Sequence, residues 1–427
     1  LALSGNTLLA GSDRTGATDS GRFKLGLTAA FAADAAETFA TNIKLEQFDS
    51  SLAIEDTVSI FSFEAGRKLG ELRTEYSPSG RVDVETLVRS RAGSALDLTV
   101  GARLPEGFGL SYAPEHGADS PVGVRIGPAA GAIVVRGTDD LRVSFDALRG
   151  PLTVEGADAG VLALDGTLRI GEGSTRGQAS LVESLHIGFE RARFESALTR
   201  LIVHERLGKQ FAGFYEERKP RGEFSLDMTL RRPQGEWGVE GVLSPTSLST
   251  NAEGTDVVCP AASGLVRFKN SDGWFEKVTL TNPEWSCTLD GGWSLLADGS
   301  TGVNLLIDAR SQGLPGSLRA LLPGTIRTYA TDLMLEASGE VTFHGIAIGL
   351  VYPPGETTGG PAVTAAGLID FAGVSADLGV TVTKATGAVE FTSAVLSSGK
   401  SIFQLSATLD HGTVAGVRMR DVKALVL

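Results

Sequence analysis

Hydrophobic residues recur at every second position along most of the chain, most regularly between Gly222 and Ala309. Phe224, Leu226, Met228 and Leu230 alternate with polar residues, and later runs repeat this alternation. Side chains of a strand point alternately to opposite faces, so this period predicts strands with one apolar and one polar face. The further apolar positions of this pattern are Trp237, Val239, Val266, Phe268, Trp274, Val278, Leu280, Leu289, Val303, Leu305, Ile307, Leu333, Leu335, Val341 and Phe343.

Short polar segments separate these runs. Pro233-Gln234-Gly235, Asn270-Ser271-Asp272-Gly273 and Asp298-Gly299 have the composition of hairpin turns, in which glycine adopts a positive φ without steric cost. Similar runs come before and after, so the sequence predicts a long antiparallel meander.

Three segments have helical rather than strand-like spacing. Glu64–Tyr76 mixes charged and apolar residues, and Glu190–Glu217 places apolar residues three and four positions apart. We predict a helix over Glu64–Tyr76, one long helix over Glu190–Glu217 that ends before Pro220, and either one short helix or two turns within Ser317–Thr331.

Similar junctions lead into strands at three places: Ser77-Pro78-Ser79-Gly80, Lys219-Pro220-Arg221-Gly222 and Ser338-Gly339. Their spacing is too long for the common short solenoid repeats and suggests larger stacked modules. We predict one continuous sheet built from a partial module, two β-groove modules that each end in a helix, and a partial C-terminal module, at 1–76, 77–217, 218–335 and 336–427.

The apolar face of such a sheet has to be covered. A second sheet would give a sandwich, which periodicity alone favours, whereas a sheet curled into a trough would need an apolar ligand such as an acyl chain. The predicted fold is mostly β: a long twisted antiparallel sheet curled into an elongated groove, with a few short helices at the junctions.

The net charge of −13 leaves no basic stripe for phosphates, which argues against nucleic-acid binding. Cys259 and Cys287 are the only cysteines and form no CxxC motif; both a disulfide and two free thiols remain open.

No catalytic or metal-binding motif is found. The histidines lack HxH or HExxH spacing, and no serine lies in a GxSxG setting, so the sequence predicts neither a metal site, a cofactor nor an enzyme. A carbohydrate-active enzyme would need paired carboxylates in a cleft, which sequence alone does not reveal.

Five segments resemble the AsmA-like branch of the AsmA/TamB superfamily, most clearly between about residues 200 and 345. They are Pro220–Met228, Trp237–Gly241, Ala262–Phe268, Leu289–Trp293 and Leu314–Pro323. These proteins are bacterial envelope relatives of bridge-like lipid transfer proteins, which form a long β-groove with an apolar floor.

The resemblance implies a lipid-binding groove in intermembrane phospholipid transport or outer-membrane biogenesis. The alternate apolar residues named above, apart from Trp274, would line it. It also implies a periplasmic location, with an inner-membrane anchor outside this chain; the chain starts at Leu1 and ends in strand-like sequence, as expected of a segment of a longer protein. The alternative is a structural or adhesive surface protein, a β-sandwich or solenoid without a lipid conduit.

Overall fold

The computed structural model describes most of the chain. The described residues are 2–9, 18–28, 39–50, 63–90, 97–112, 122–137, 141–170, 181–206, 208–232, 238–252, 254–321, 338–353, 362–377, 380–395 and 401–426. They divide into two compact units, Leu1–Ala212 with Ser225–Val239, and Gly213–Phe224 with Glu240–Leu427.

The first unit is an antiparallel ladder in which neighbouring strands mostly follow the chain order. Its strands are β1 (Ala2–Leu9), β2 (Thr18–Thr28), β3 (Phe39–Asp49), β4 (Arg81–Ser90), β5 (Asp97–Leu104), β6 (Phe108–Tyr112), β7 (Val122–Ile126), β8 (Ala129–Arg136), β9 (Leu141–Val154), β10 (Ala157–Ile170) and β11 (Leu181–Arg193). The hairpin β6–β7 is inserted between β5 and β8, which pair with each other.

The second unit repeats this plan. Its strands are β14 (Leu248–Ala252), β15 (Thr255–Cys259), β16 (Ala261–Lys269), β17 (Asp272–Thr281), β18 (Trp285–Leu295), β19 (Thr301–Gln312), β20 (Ser338–Tyr352), β21 (Ala362–Asp377), β22 (Thr381–Val395), β23 (Ser401–Val414) and β24 (Val417–Val426). β12 (Glu223–Arg232) and β13 (Gly238–Pro245) contribute residues to both units. The hairpin β14–β15 is a separate two-stranded sheet, inserted between β13 and β16, which pair with each other.

The predicted fold class is confirmed. The protein is mostly β, with a large antiparallel sheet that does not close on itself and a few short helices. The alternation of apolar and polar residues explains this, because it gives each strand one face that packs and one that faces water. The four module boundaries stay a prediction.

Four helices lie in the part of the chain that the structure describes: α1 (Phe63–Tyr76), α2 (Ala197–Arg206), α3 (Gly208–Arg218) and α4 (Gly316–Leu321). α1 and α4 agree with the sequence prediction, while residues 322–331 of the third predicted segment lie outside the described residues.

The single long helix predicted over Glu190–Glu217 is wrong at its start. Strand β11 continues to Arg193, and helix α2 begins only after Ser196, whose Oγ accepts the backbone N–H of Thr199 at 3.1 Å. This is the N-cap interaction that starts a helix, and the helical spacing of Phe194 did not reveal it. At the other end, Lys219 adopts a φ of 44° and donates its N–H to the Tyr215 carbonyl at 2.8 Å, which terminates α3.

The internal repeat is visible in the topology. Among the described strands, the helical connections follow β3, β11 and β19, so each comes eight strands after the previous one. At the first two junctions, Ser79 forms an isolated bridge with Gly109 of β6, and Arg221 forms the equivalent bridge with Ser249 of β14. The similar sequences of these two junctions therefore correspond to similar structure, and both junctions pair with the inserted hairpin.

A recurring β-bulge interrupts the ladder at matching positions. In the second unit, Lys277 of β17 has a φ of 47° and donates its N–H to Asp290 Oδ1 at 2.8 Å, opposite Gly264 with its φ of 96°. In the first unit, Ala147 donates in the same way to Asp165 at 3.1 Å. Each bulge adds one residue to its strand and bends it, so it changes which residues share a face.

Candidate functional site

The sheet of the second unit carries one continuous apolar face. We call the following residues the apolar face: Val266, Phe268, Phe275, Val278, Leu280, Cys287, Leu289, Trp293, Leu295, Val303, Leu305, Ile307, Ala309, Val341, Phe343, Ile346, Ile348, Leu350, Val363, Ala365, Ile369, Phe371, Val389, Phe391, Leu405, Ala407 and Leu409.

Strand register makes these side chains neighbours. Leu289 pairs with Ile307, which pairs with Ile346 on the next strand. One row further along, Leu305 pairs with Ile348 and then Ala365. Ile346, Ile348 and Ala365 form a buried cluster whose described members all come from β19 to β22, so it is built by neighbours within one sheet rather than by two layers.

Charged side chains lie on the opposite face of the same strands. Asp290, Asp308, Arg310, Asp370 and Glu390 occupy positions that alternate with the apolar residues. Other positions on the apolar side of these strands, such as Gly291, Ser311 and Ser393, hold small uncharged residues. A surface of this kind offers contacts to hydrocarbon and no ion pair to a charged group.

Most of the apolar face is only half-buried. Val278, Val341 and Ile346 are buried, whereas Leu289 and Leu305 keep part of their surface exposed. A row of partly exposed aliphatic side chains of this length is more typical of a binding surface than of a closed core.

Glycines on neighbouring strands keep two large side chains close to the sheet. Trp293 lies over Gly273, where any Cβ would overlap its ring, and Ile346 similarly covers Gly367. Trp293 also contacts Phe275, with ring centroids 5.3 Å apart and an interplanar angle of 57°. These side chains therefore lie close against the backbone of the neighbouring strand.

One end of the strands is covered, and we call it the covered edge. Val257 and Cys259 of β15 and Leu318 of α4 pack with Trp285, which is 3% exposed. The indole N–H of Trp285 donates to Ser317 Oγ at 3.0 Å, and the Ser317 hydroxyl donates to Glu284 Oε2 at 3.3 Å. The hairpin β14–β15 and helix α4 thus close this end of β17 and β18.

The opposite end of the same strands is exposed, and we call it the open edge. Leu295 is 54% exposed and pairs with Thr301, which pairs with Tyr352, 41% exposed. Leu296, in the turn that follows, is exposed as well.

Cys259 and Cys287 are both free thiols, which settles the pairing that the sequence left open. Burial raises the pKa of Cys259 to about 11. Burial also raises the pKa of Cys287 to about 12, and the nearby Cys259 and Asp308 are smaller causes of this shift.

The two thiols should therefore react slowly while the protein is folded. The thiolate is the reactive form, so at pH 8 we expect a thiol reagent such as an aromatic disulfide to react on the order of 100-fold more slowly than with a free cysteine. Both should react at the ordinary rate in denaturant. Rapid reaction of the folded protein would contradict the burial of Cys259 and the packing of the half-buried Cys287 against it.

The predicted site residues fall into three groups. Those on the apolar face are Val266, Phe268, Val278, Leu280, Leu289, Val303, Leu305, Ile307, Val341 and Phe343. Phe224, Leu226, Met228 and Leu230 share one face of β12, and Val239 lies on β13. Trp237, Leu333 and Leu335 lie outside the described residues.

Bulges account for what the sequence pattern missed. Trp274, grouped with Val278 by alternation, lies on the opposite face; the bulge at Lys277 shifts the pattern, so Phe275 is the face residue. Past Phe343, a second bulge at Gly345 moves the face to Ile346 and Ile348. Gly345 donates its N–H to Asp308 Oδ1 at 2.9 Å. The sequence signal for this bulge was therefore a glycine within the strand and a carboxylate 37 residues earlier in the chain.

The first unit has an apolar face of the same construction. Val84 pairs with Ala102, and Leu164 pairs with Ile187. Its buried cluster contains Phe48, Val82, Leu104, Ile126 and Leu148.

No helix in the described residues has both the length and the apolar character needed to span a membrane. The chain matches no protein-family model, no curated protein and no solved structure. The resemblance to the AsmA-like branch therefore stays a prediction that rests on the quoted segments.

Proposed function

We propose that the protein binds the acyl chains of a lipid, with phospholipid as the natural candidate, along the apolar face of its sheet. The observation that carries this proposal is a half-buried apolar face, spanning β16 to β23, whose strands place their charged side chains, such as Asp290, Asp308 and Asp370, on the opposite side.

The size of the face suits such a ligand. From Val303 to Ala309 the strand rises by about 20 Å at roughly 3.3 Å per residue. One leaflet of a bilayer has a hydrocarbon thickness of about 15 Å, half of the total of roughly 30 Å. Removing the chain from water contributes about 0.8 kcal/mol per CH₂ group, so hydrocarbon contact alone can hold a lipid.

The resemblance to AsmA-like proteins supplies the biological setting of the proposal. The chain would be the lipid-binding β-groove segment of an envelope protein that carries phospholipid between membranes or serves outer-membrane biogenesis. It would act in the periplasm, joined to the inner membrane through a segment outside this chain, without a cofactor, a catalytic step or nucleic acid as a partner.

Lipid extraction and mass spectrometry of the mildly purified protein test the proposal directly. We expect co-purified phospholipid, and delipidated protein should take up phospholipid again from vesicles. Protein that is lipid-free after mild purification and takes up none from vesicles would contradict the proposal and favour a structural or adhesive role.

A further inference from the structure

We infer that a bound lipid lies along strands β17 to β20 with its chain end at the covered edge and its headgroup at the open edge. This orientation rests on the proposed function and adds to it a direction and a headgroup environment. It follows from the difference between the two ends of the apolar face.

The covered edge is closed to a hydrated headgroup. Trp285 and Leu318 are 3% and 7% exposed, and the Trp285 and Ser317 polar groups are used in the hydrogen bonds to Ser317 and Glu284. Ser311 at the covered edge is 2% exposed, and its hydroxyl has no hydrogen-bond partner among the described residues. A single neutral hydroxyl cannot replace the hydration shell of a phosphate, so a headgroup placed there would carry a large desolvation cost.

The open edge allows a headgroup to remain hydrated. Leu295 and Tyr352 are 54% and 41% exposed, and both lie in the same row across the sheet, with Thr301 between them. Tyrosine combines an apolar ring with a polar hydroxyl, which suits the boundary between hydrocarbon and water. The headgroup can therefore stay in water while the chain runs past Val303 and Leu305 towards Ala309.

The same geometry defines the substrate class. The headgroup stays in water at the open edge, where the carboxylates of Asp272 and Asp298 offer an anionic headgroup no ion pair, so contact with the chain provides the binding energy. The affinities of zwitterionic and anionic lipids with the same chains should lie within about threefold of each other. Each CH₂ group removed from the chains should lower the affinity by at most severalfold.

Fluorescence quenching can measure the orientation, because the tryptophans mark both ends. One variant retains Trp293, near the open edge, and another retains Trp285, at the covered edge; the remaining tryptophans become Phe in each. Each is loaded with phosphatidylcholine carrying a nitroxide either on the headgroup or at the chain end. We expect the headgroup label to quench Trp293 more strongly, and the chain-end label to quench Trp285 more strongly.

Photo-crosslinking of the unmodified protein provides a measurement that does not depend on these variants. A diazirine on the headgroup should label the peptide around Leu295 and Thr301, and one at the chain end should label the peptide around Trp285. The reversed pattern, or equal labelling of both ends, would overturn the orientation while leaving lipid binding intact. Absence of bound lipid in both assays would instead refute the proposed function, and this inference with it.

Discussion

Leu305→Glu is expected to lower the amount of bound phospholipid at least about tenfold. Leu305 lies in the middle of the apolar face, between Gly291 on one strand and Ile348 on the other. A carboxylate at this position would have to lose its hydration when an acyl chain covers it, which costs several kcal/mol, and about 1.4 kcal/mol already corresponds to a tenfold loss of affinity. Mass spectrometry after incubation with phosphatidylcholine vesicles measures the effect.

Leu306→Glu is the matched control. Leu306 is the next residue of the same strand and points to the opposite face, between Asp290 and Ala347; it is 44% exposed, so water and salt screen a new carboxylate from Asp290. The same chemical change should therefore leave lipid uptake within about twofold of the unmodified protein, and circular dichroism should show that both variants fold. Equal lipid loss in both variants, or retention in both, would contradict the assignment of the apolar face.

The fold class could be predicted because it depends on local alternation. The runs at Val266–Phe268 and Val303–Ile307 already place their apolar residues on one face, and the structure confirms this. Helix α1 and the junctions at Gly80 and Gly222 could be predicted for the same reason, because their sequence signals are also local.

The bulges could not be predicted in this way, because each depends on contacts between neighbouring strands. Lys277 adopts its left-handed conformation where Asp290, on the next strand, accepts its N–H and Gly264, on the previous strand, leaves space. Nothing in the local sequence around Lys277 indicates an extra residue, and the alternation there assigned Trp274 to the wrong face.

The covered edge was also beyond the sequence pattern. The sequence predicts a short helix around Leu318 but assigns no packing role to Val257 or Cys259, and only the fold places these residues against Trp285. The similar junction sequences indicate a repeat but not its full topology. They do not reveal that a hairpin is inserted after β5 and again after β13.

Gly264→Ala is expected to destabilise the second unit by at least about 3 kcal/mol. Gly264 has a φ of 96°, a conformation that costs other residues roughly 1–3 kcal/mol, and its new Cβ would also overlap the carbonyl of Lys277 and lie 2.7 Å from the Val278 Cα. Backbone atoms on both sides belong to the bulge, so relieving the overlap would shift Lys277 away from Asp290. Denaturant unfolding followed by tryptophan fluorescence reports this change, because Trp274, Trp285 and Trp293 all lie in this unit.

Gly254→Ala separates conformational strain from the steric overlap. Gly254 lies in the turn of the β14–β15 hairpin with a similar φ of 82°, and a Cβ there would meet no atom within 4 Å. We expect a loss of about 1 kcal/mol, from backbone strain alone. Because both glycines have positive φ in the same unit, a larger effect at Gly264 must come from the close approach of the bulge. If the two substitutions cost the same, the bulge does not require glycine opposite it, and the three-strand arrangement of Gly264, Lys277 and Asp290 would not be what bends this sheet.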